Sequence, residues 1–257
     1  MIDALMLLGE NRFGRSLSTE GALAVADDLG LAAIVAAPAR PLDYHLGPAN
    51  DALAVAAGGS DGRLIPLGRI DPLDGARAVA EARRCVVDLG CAGLFLHPSE
   101  EAFPVRAARP VVDVAAELDV PVVIATGFFA LAEPLQIAEL AATVPSVPIV
   151  LTSGGQINIS GLSMVDAWLA LTSTPNLHVL TNGEYRQDFI ERLATELDHQ
   201  RVMQASFAPL FDPAFELART RSARLSDDAR VAIEHDNAAR LFSRTATRDR
   251  DSDSDET

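Results

Sequence analysis

Residues 91–126 read CAGLFLHPSEEAFPVRAARPVVDVAAELDVPVVIAT, and this stretch contains the repeating unit of the fold. Its two apolar runs, 91–97 and 121–126, are mostly continuous rather than alternating, as is typical of strands that are buried on both faces. The segment between them has a helical period and ends near Asp119, a residue type suited to the turn from a helix into a strand. The stretch therefore predicts a strand, a helix and a second strand parallel to the first.

The same alternation continues in both directions along the chain. The predicted strands cover residues 2–8, 31–37, 63–69, 91–97, 121–126, 147–153, 176–181 and 201–205. Helices fill the gaps, and Asp71-Pro72 and Glu133-Pro134 are typical helix starts. This order predicts an α/β fold of the (β/α)₈ TIM barrel type. An open doubly wound sheet is the competing architecture, but it usually carries a glycine-rich phosphate turn after the first strand, and residues 9–12 (GENR) do not match one.

The C-terminal region is predicted to add an extra helix to the barrel. A helix is expected near 211–221, followed by a capped helix from Ser226 to about Phe242 that packs across the barrel. Residues 245–257 carry five acids and two arginines, with no apolar side chain larger than alanine. Such a composition predicts a disordered, solvating tail. We therefore divide the chain into a barrel domain, residues 1–243, and a disordered acidic tail, residues 244–257.

Composition excludes two classes of partner. The formal net charge is −15, so nucleic acids and anionic membrane surfaces would repel the chain. All 21 basic residues are arginine. Together with the acid excess, this indicates a halophilic composition, in which high salt screens the repulsion between the acids. A GC-rich genome that favours arginine codons is the other explanation for the missing lysines.

Cysteine usage and the N-terminus both favour a cytoplasmic protein. Cys85 and Cys91 are too few for a disulfide framework and fit a reducing compartment, so we expect both in the core. The first residues include no basic segment, and no run of about 18 apolar residues occurs. We therefore expect neither a signal peptide nor a membrane span.

Six phrases along the chain resemble one family. They are residues 2–9 (IDALMLLG), 93–98 (GLFLHP), 121–127 (PVVIATG), 148–155 (PIVLTSGG), 201–209 (RVMQASFAP) and 237–242 (NAARLF). In this order they resemble the amidohydrolase superfamily, specifically the amidohydrolase-related branch that includes small-carboxylate decarboxylases and lactone hydrolases. The resemblance covers roughly residues 1–243 and implies a TIM barrel built around a divalent metal ion.

The residues at the family's metal-ligand positions are not metal ligands in this chain. A divalent cation needs nitrogen or oxygen lone pairs, which histidine and carboxylate side chains supply. The positions that the resemblance assigns to ligands are occupied by Leu5, Leu7, Ala125, Ser153 and Phe207. Some family members place a bridging lysine where this chain has Phe95. The resemblance, compared with these residues, predicts a barrel without a metal centre, and we expect no metal and no cofactor.

The remaining candidate site residues are polar side chains that follow the strands, because the C-terminal ends of the strands form the functional face of such a barrel. As ligand-binding residues we predict Glu10, Asn11, Arg40, His45, Arg69, Thr126, Ser153, Asn182 and Gln204. Arginine offers a planar fork that can clamp a carboxylate, although pairing with the chain's many acids is the alternative for Arg40 and Arg69.

Two residues are candidates for catalysis. His97 matches a histidine that the family often keeps beside the metal, and a histidine that titrates near neutrality suits acid and base chemistry. A buried histidine satisfied by a backbone carbonyl is the alternative. Glu184 is a candidate base, or an acid placed in the first turn of a helix by the helix dipole.

Two functional hypotheses follow. The first is a degenerate amidohydrolase-like barrel that binds a small ligand or a protein partner without catalysis. The second is a metal-independent hydrolase or decarboxylase that acts on a small carboxylate, lactone or amide through His97 and an arginine. A metal site relocated to Glu10, His45, His97 or Glu184 stays open as a further alternative. The expected partners are a small-molecule carboxylate and a second copy of the chain in a homodimer.

Overall fold

The computed structural model describes residues 1–10, 14–155, 161–184 and 186–243, without the side chains of residues 161–163. Its strands are β1 (Ile2–Glu10), β2 (Ser16–Leu17), β3 (Ala33–Pro38), β4 (Leu64–Arg69), β5 (Gly93–Leu96), β6 (Val122–Ile124), β7 (Ile149–Leu151), β8 (Leu177–Leu180) and β9 (Val202–Met203). They form one nine-stranded sheet in the order β2-β1-β3-β4-β5-β6-β7-β8-β9. β2 is antiparallel to β1, and the other neighbours are parallel.

Helices follow the parallel strands in turn. They are α1 (Thr19–Leu29), α2 (Leu46–Gly58), α3 (Ala76–Val87), α4 (Arg109–Leu118), α5 (Pro134–Ala142), α6 (Gly161–Ser173), α7 (Gln187–Arg192), α8 (Pro213–Ser222), α9 (Asp227–Val231) and α10 (Asn237–Leu241). A π-helical turn, Leu193–Asp198, follows α7, and a second one, Ala232–Asp236, joins α9 to α10. None of the helices in the described ranges is long and apolar enough to cross a membrane.

The sheet closes between β1 and the segment that follows β9. The Ala4 N–H donates to the Gln204 carbonyl at 3.0 Å, and the Phe207 N–H donates to the Leu5 carbonyl at 2.8 Å. The buried carboxylate of Asp3 lies on this seam, where one of its oxygens accepts the N–H groups of Leu5 at 3.1 Å and Ser206 at 3.0 Å. Closure pairs edge strands that would otherwise expose their backbone groups.

Side chains of the strands fill the interior of the barrel. Phe95 pairs with Val123, and Val123 pairs with Val150, so these residues lie in one layer. They belong to one hydrophobic cluster that also includes Leu5 and Met203. Such layers of side chains make the centre of a TIM barrel a packed core rather than a pore.

The helix formed by α9 and α10 covers the end of the barrel at which the strands begin. Its N-cap is Ser226, whose hydroxyl accepts the Ala229 N–H at 3.2 Å. Ala238 and Phe242 are buried in the same cluster as Ile2 and Ala92, which lie at the starts of strands or just before them. The extra C-terminal helix is therefore the floor of the barrel.

The structure confirms the predicted fold class and the order of its elements. It corrects the element ends, because several strands are shorter than the apolar runs that predict them, and it adds the two-residue strand β2. Asp71 caps a 3₁₀ turn, Pro72–Asp74, ahead of α3 rather than α3 itself. Gly30 and Asp119 have the left-handed conformation expected at the ends of α1 and α4. The predicted tail, residues 244–257, lies outside the described residues.

Replacing Asp3 with asparagine should change how stability depends on pH. Burial raises the pKa of Asp3 from its ordinary 3.8 to about 6, although hydrogen bonds from Ser206 oppose this. The folded protein therefore binds the extra proton between these values, and its stability falls as the pH rises through that window. Asparagine keeps the acceptor oxygen without the charge. Relative to the native protein, Asp3→Asn should gain about 3 kcal/mol of unfolding free energy across the window.

Urea unfolding of both proteins at a series of pH values measures this gain. Contributions from other buried acids are common to both proteins and cancel in the difference. Parallel stability profiles for the two proteins would show that Asp3 does not titrate in the folded state as stated.

Candidate functional site

An arginine–glutamate cluster, formed by Arg40, Arg69, Glu100 and Glu101, lies at the C-terminal ends of β3, β4 and β5. Arg69 ends β4, and its guanidinium is completely buried. It donates from Nε and Nη2 to Glu101 Oε1 at 3.1 and 2.7 Å, and from Nη2 to Glu100 Oε2 at 2.5 Å. Nη1 donates to the Pro38 carbonyl at 3.0 Å. These contacts use most of the five N–H groups of the guanidinium.

The side chain of Asn50, on α2, fixes the backbone of Arg69. Asn50 Oδ1 accepts the Arg69 N–H at 2.8 Å, and Asn50 Nδ2 donates to the Arg69 carbonyl at 3.0 Å. The same Nδ2 donates to Glu81 of α3 at 2.8 Å. One buried amide thus joins two helices to the end of β4 and holds Arg69 in position.

Glu101 is buried with only part of its carboxylate satisfied. Its Oε1 accepts both Arg69 hydrogen bonds, whereas Oε2 has no hydrogen-bond partner among the described residues. Burial raises the pKa of Glu101 to about 7, although the charge and hydrogen bonds of Arg69 lower it. The nearby Glu100 also raises it. The cluster therefore contains a carboxyl group that gains or loses its proton near neutral pH.

Arg40 is the member of the cluster with donors to spare. Its Nε lies 3.7 Å from Glu101 Oε1, and its guanidinium carbon lies 3.9 Å from the centre of the Tyr44 ring. The guanidinium makes no hydrogen bond within the part of the chain that the structure describes. Tyr44 has a left-handed backbone conformation, with a φ of 62°, in the loop that carries it under Arg40.

A cavity of about 590 Å³ opens beside this cluster. Its walls are the segment after β3, the first turn of α2, the end of β4 and the first turns of α3. Its charged lining residues are Arg40, Arg69, Arg77, Asp71, Asp74 and Glu81. The acids are largely engaged, because Asp74 pairs with Arg77 at 2.9 Å and Glu81 pairs with Arg84 at 2.8 Å.

His97 lies at the centre of an aromatic cluster that we define by Phe95, His97, Phe128 and Phe207. The centre of its ring lies 6.0 Å from that of Phe95, 5.4 Å from that of Phe128 and 6.2 Å from that of Phe207. Its Nδ1 accepts the N–H of Glu100 at 3.3 Å, so a neutral ring carries its proton on Nε2. The guanidinium carbon of Arg69 lies 5.4 Å from the centre of the Phe95 ring, which brings the two clusters together.

A second polar group follows β6, β7 and β8. The Asn182 amide brackets Ser153, accepting the Ser153 N–H and donating to its hydroxyl, both at 3.1 Å. Thr126 donates from its hydroxyl to the Ile124 carbonyl at 2.7 Å. Glu184 accepts the Arg186 N–H at 2.9 Å and lies against Gly154, where any Cβ would collide with its carboxylate. These four side chains are buried and stabilise the loops that carry them.

The sequence of this chain matches one known family. A sequence profile of the amidohydrolase family matches residues 15–244. The chain belongs to the amidohydrolase family. Comparison with curated protein sequences gives no match.

Solved structures confirm the TIM-barrel fold. The 2,6-dihydroxybenzoate decarboxylase from Rhizobium superposes with a TM-score of 0.74 at 19% identity, over 94% of this chain and 99% of that one. The 5-carboxyvanillate decarboxylase from Sphingomonas paucimobilis gives 0.71 at 17% identity, over 88% and 83% of the two chains. A TIM-barrel protein from Bordetella bronchiseptica gives 0.73 at 17% identity, over 94% and 98%.

The residues that the sequence resemblance assigns to the family's metal positions do not form a site that fits a divalent cation. Leu5, Leu7, Phe95, Ala125 and Phe207 are all buried in the hydrophobic cluster inside the barrel and offer no lone pairs. At the sixth position, the hydroxyl of Ser153 accepts a hydrogen bond from Asn182. Within the described ranges, no group of three or more histidine, cysteine, aspartate or glutamate side chains is placed to hold a metal ion.

The predicted site residues therefore fall into separate groups. Arg40, His45 and Arg69 line the large cavity, and His97 lies beside the same cluster. Thr126, Ser153, Asn182 and Glu184 belong to the second polar group. Glu10 is exposed and lines a different cavity of about 390 Å³. Gln204 is buried with its Oε1 unpaired in the described structure, and Asn11 lies outside the described residues.

Sequence reasoning missed Glu100, Glu101 and Tyr44. A signal for the two glutamates was present, because they follow His97 closely in a loop on the functional face. An arginine at the end of a buried strand needs an acid nearby, and acids that follow the neighbouring strand are candidates for that partner. Tyr44 had no comparable signal, since its position under Arg40 depends on the loop conformation.

Replacing Arg69 with methionine should strongly destabilise the protein. The change leaves the buried carboxylate of Glu101 and the partly buried one of Glu100 without their partner. Breaking a buried pair in this way costs about 3–5 kcal/mol of unfolding free energy. The loss should shrink at acid pH, where Glu101 is protonated. Denaturant unfolding at pH values on both sides of about 7 measures both effects.

Arg77→Met is the matched control. Arg77 lines the same cavity, but its side chain is 85% exposed and its pair with Asp74 lies at the surface. It should have no measurable effect on stability. Equal effects from the two substitutions would contradict a structural role for the arginine–glutamate cluster.

Proposed function

We propose that this protein is a metal-independent member of the amidohydrolase family that binds a small carboxylate at the mouth of its barrel. The observation that carries the proposal is the packing of Leu5, Leu7, Phe95, Ala125 and Phe207 in the barrel interior. A cation placed among these side chains would lose its hydration shell without gaining ligands, and uncompensated burial of charge is strongly unfavourable. Ligand binding is therefore assigned to the loops above this core.

Arg40 is the residue that we assign to the ligand carboxylate. Of the three arginines around the large cavity, Arg69 is committed to Glu100 and Glu101, and Arg77 is exposed and paired with Asp74. Arg40 keeps its hydrogen-bond donors, and its side chain is only 14% exposed. A guanidinium in this state can form two parallel hydrogen bonds to a carboxylate.

The walls of the cavity support an anionic, partly apolar ligand. The N-cap residue of α2, His45, provides no side-chain cap, and the first turn of that helix lines the cavity. Unpaired N–H groups at a helix start favour an anion. Tyr44 and Ile70 add apolar surface. The acids in the wall disfavour a dianion, so a monocarboxylate is the class proposed.

A second candidate function is decarboxylation or hydrolysis of a small carboxylate without a metal. The position of His97 among aromatic rings, with its Nδ1 hydrogen-bonded to the N–H of Glu100, favours it. Two of the superposed proteins are decarboxylases of aromatic acids by name. In this alternative His97 supplies a proton from Nε2, and Arg40 holds the substrate carboxylate.

Ligand binding is tested by thermal shift against benzoate, hydroxybenzoates and short aliphatic monocarboxylates. The native protein should show a saturable rise in melting temperature with at least one of these acids. Arg40→Gln should weaken binding roughly 10- to 100-fold, the loss expected for hydrogen bonds to a charged group. Arg77→Gln, which alters the same cavity, should bind like the native protein.

Metal analysis of the purified protein and the same assay with a chelator complete the test. The melting temperature and the ligand shift should not change on chelation. Stoichiometric zinc or manganese that survives purification, or equal loss of binding in both arginine variants, would refute the proposal. Release of carbon dioxide from a hydroxybenzoate that disappears in His97→Ala would establish the second candidate instead.

A further inference from the structure

Two thiols meet at the turn between α3 and β5. Cys85 lies in the last turn of α3, and Cys91 lies just before β5. Gly90, with a left-handed φ of 72°, turns the chain back, and the Cys91 N–H donates to the Cys85 carbonyl at 2.9 Å. The Cys91 thiol is also close enough to Cys85 to raise the pKa of the Cys85 thiol. The turn therefore brings the two cysteines together.

The packing of α3 on β4 keeps Cys85 in this position. A Cβ added at Gly68 would lie 2.5 Å from Cys85 Cβ and 2.7 Å from Cys85 Sγ, so the cysteine side chain occupies the space that the glycine leaves. On its other side, Cys85 Sγ lies 3.5 Å from Glu81 Oε1. Close packing of this kind restricts the rotation of the Cys85 side chain away from Cys91.

The two thiols differ in their access to small solutes. Cys91 lines a cavity of about 160 Å³ at the end of the barrel where the strands begin, together with Val86, Pro121 and Leu241. Cys85 does not line it and is completely buried. A water molecule needs about 30 Å³, so a cavity of this size has room for hydrogen peroxide. An oxidant therefore reaches Cys91 first.

We propose that Cys85 and Cys91 are a redox pair that a peroxide converts to an intrachain disulfide. The Cys91 sulfur attacks one peroxide oxygen, the O–O bond breaks, and the hydroxide that leaves takes the Cys91 proton, so a sulfenic acid and one water form. Cys85 sulfur then attacks the sulfenic sulfur, and the hydroxide that leaves takes the Cys85 proton as a second water. Two thiols and one peroxide thus give one disulfide and two waters, and a thiol reductant reverses the change.

The order of these steps follows from the surroundings of each sulfur. The nearby Cys91 thiol and burial raise the pKa of Cys85, so Cys85 keeps its proton while Cys91 reacts. A disulfide that forms only on oxidation is compatible with a reducing compartment, where such bonds are transient. The pair lies away from the carboxylate cavity, so this proposal does not depend on the proposed function.

Peptide mapping of the full-length protein tests the proposal. The chain is treated with hydrogen peroxide, alkylated under denaturing conditions and cleaved on the N-terminal side of aspartate. Cleavage before Asp88 separates fragment 74–87, which holds Cys85, from fragment 88–112, which holds Cys91. We expect the two fragments to stay joined, with the mass of two hydrogen atoms lost, and to separate when a thiol reductant is added.

Two variants test the order of reaction. Cys85→Ser should stop at a sulfenic acid on Cys91, which a dimedone reagent labels, whereas Cys91→Ser should leave Cys85 as a thiol under the same treatment. Two alkylated thiols in the treated native protein, a sulfinic acid on Cys91 or a disulfide between chains would each overturn the proposal. Oxidation of Cys85 in Cys91→Ser as fast as in the native protein would overturn the assigned order. If a variant fails to fold, the map of the native protein still decides whether the pair forms.

Discussion

The interior of this barrel is filled by its own side chains, and that packing decides where a ligand can bind. Eight parallel strands leave an interior just wide enough for layers of side chains. Leu5, Leu7, Phe95 and Phe207 occupy this space near the C-terminal ends of the strands. These side chains offer no lone pairs to a cation, which supports the proposal of a family member that works without a metal. The polar side chains of the candidate site lie in the loops that follow the strands.

A charged side chain that is buried at the edge of such a core needs partners of opposite charge. Arg69 is completely buried, so its guanidinium must be paired, and Glu100 and Glu101 supply the carboxylates. Two carboxylates around one guanidinium repel each other, and the less solvated one, Glu101, responds with a raised pKa. The distance of 3.7 Å from Glu101 to Arg40 is too long for a hydrogen bond, so Arg40 stays available to a ligand.

The fold could be predicted because strands that are buried on both faces appear in the sequence as continuous apolar runs. The continuous apolar runs around Phe95 and Val123 become neighbouring strands in register. For the candidate site, only the location could be predicted, namely the loops at the C-terminal ends of the strands. Thr126, Ser153 and Asn182 follow strands just as Arg40 does, but Thr126 hydrogen bonds to the backbone of its own strand, and Ser153 and Asn182 hydrogen bond to each other. Such pairing depends on loop conformation, which no local pattern in the sequence encodes, and position alone does not separate a ligand-binding residue from a structural one.

The two ends of the barrel are suited to different chemistry because only one is covered by a helix. At the end where the strands begin, Ala238 and Phe242 pack onto the core, and the cavity beside Cys91 is small. At the other end, loops and the first turns of α2 and α3 surround the cavity beside Arg40, which is more than three times as large. The two proposals therefore concern opposite ends of the barrel: the carboxylate is assigned to the cavity beside Arg40, and the reaction with peroxide is assigned to the cavity beside Cys91. The length of the strands separates the two.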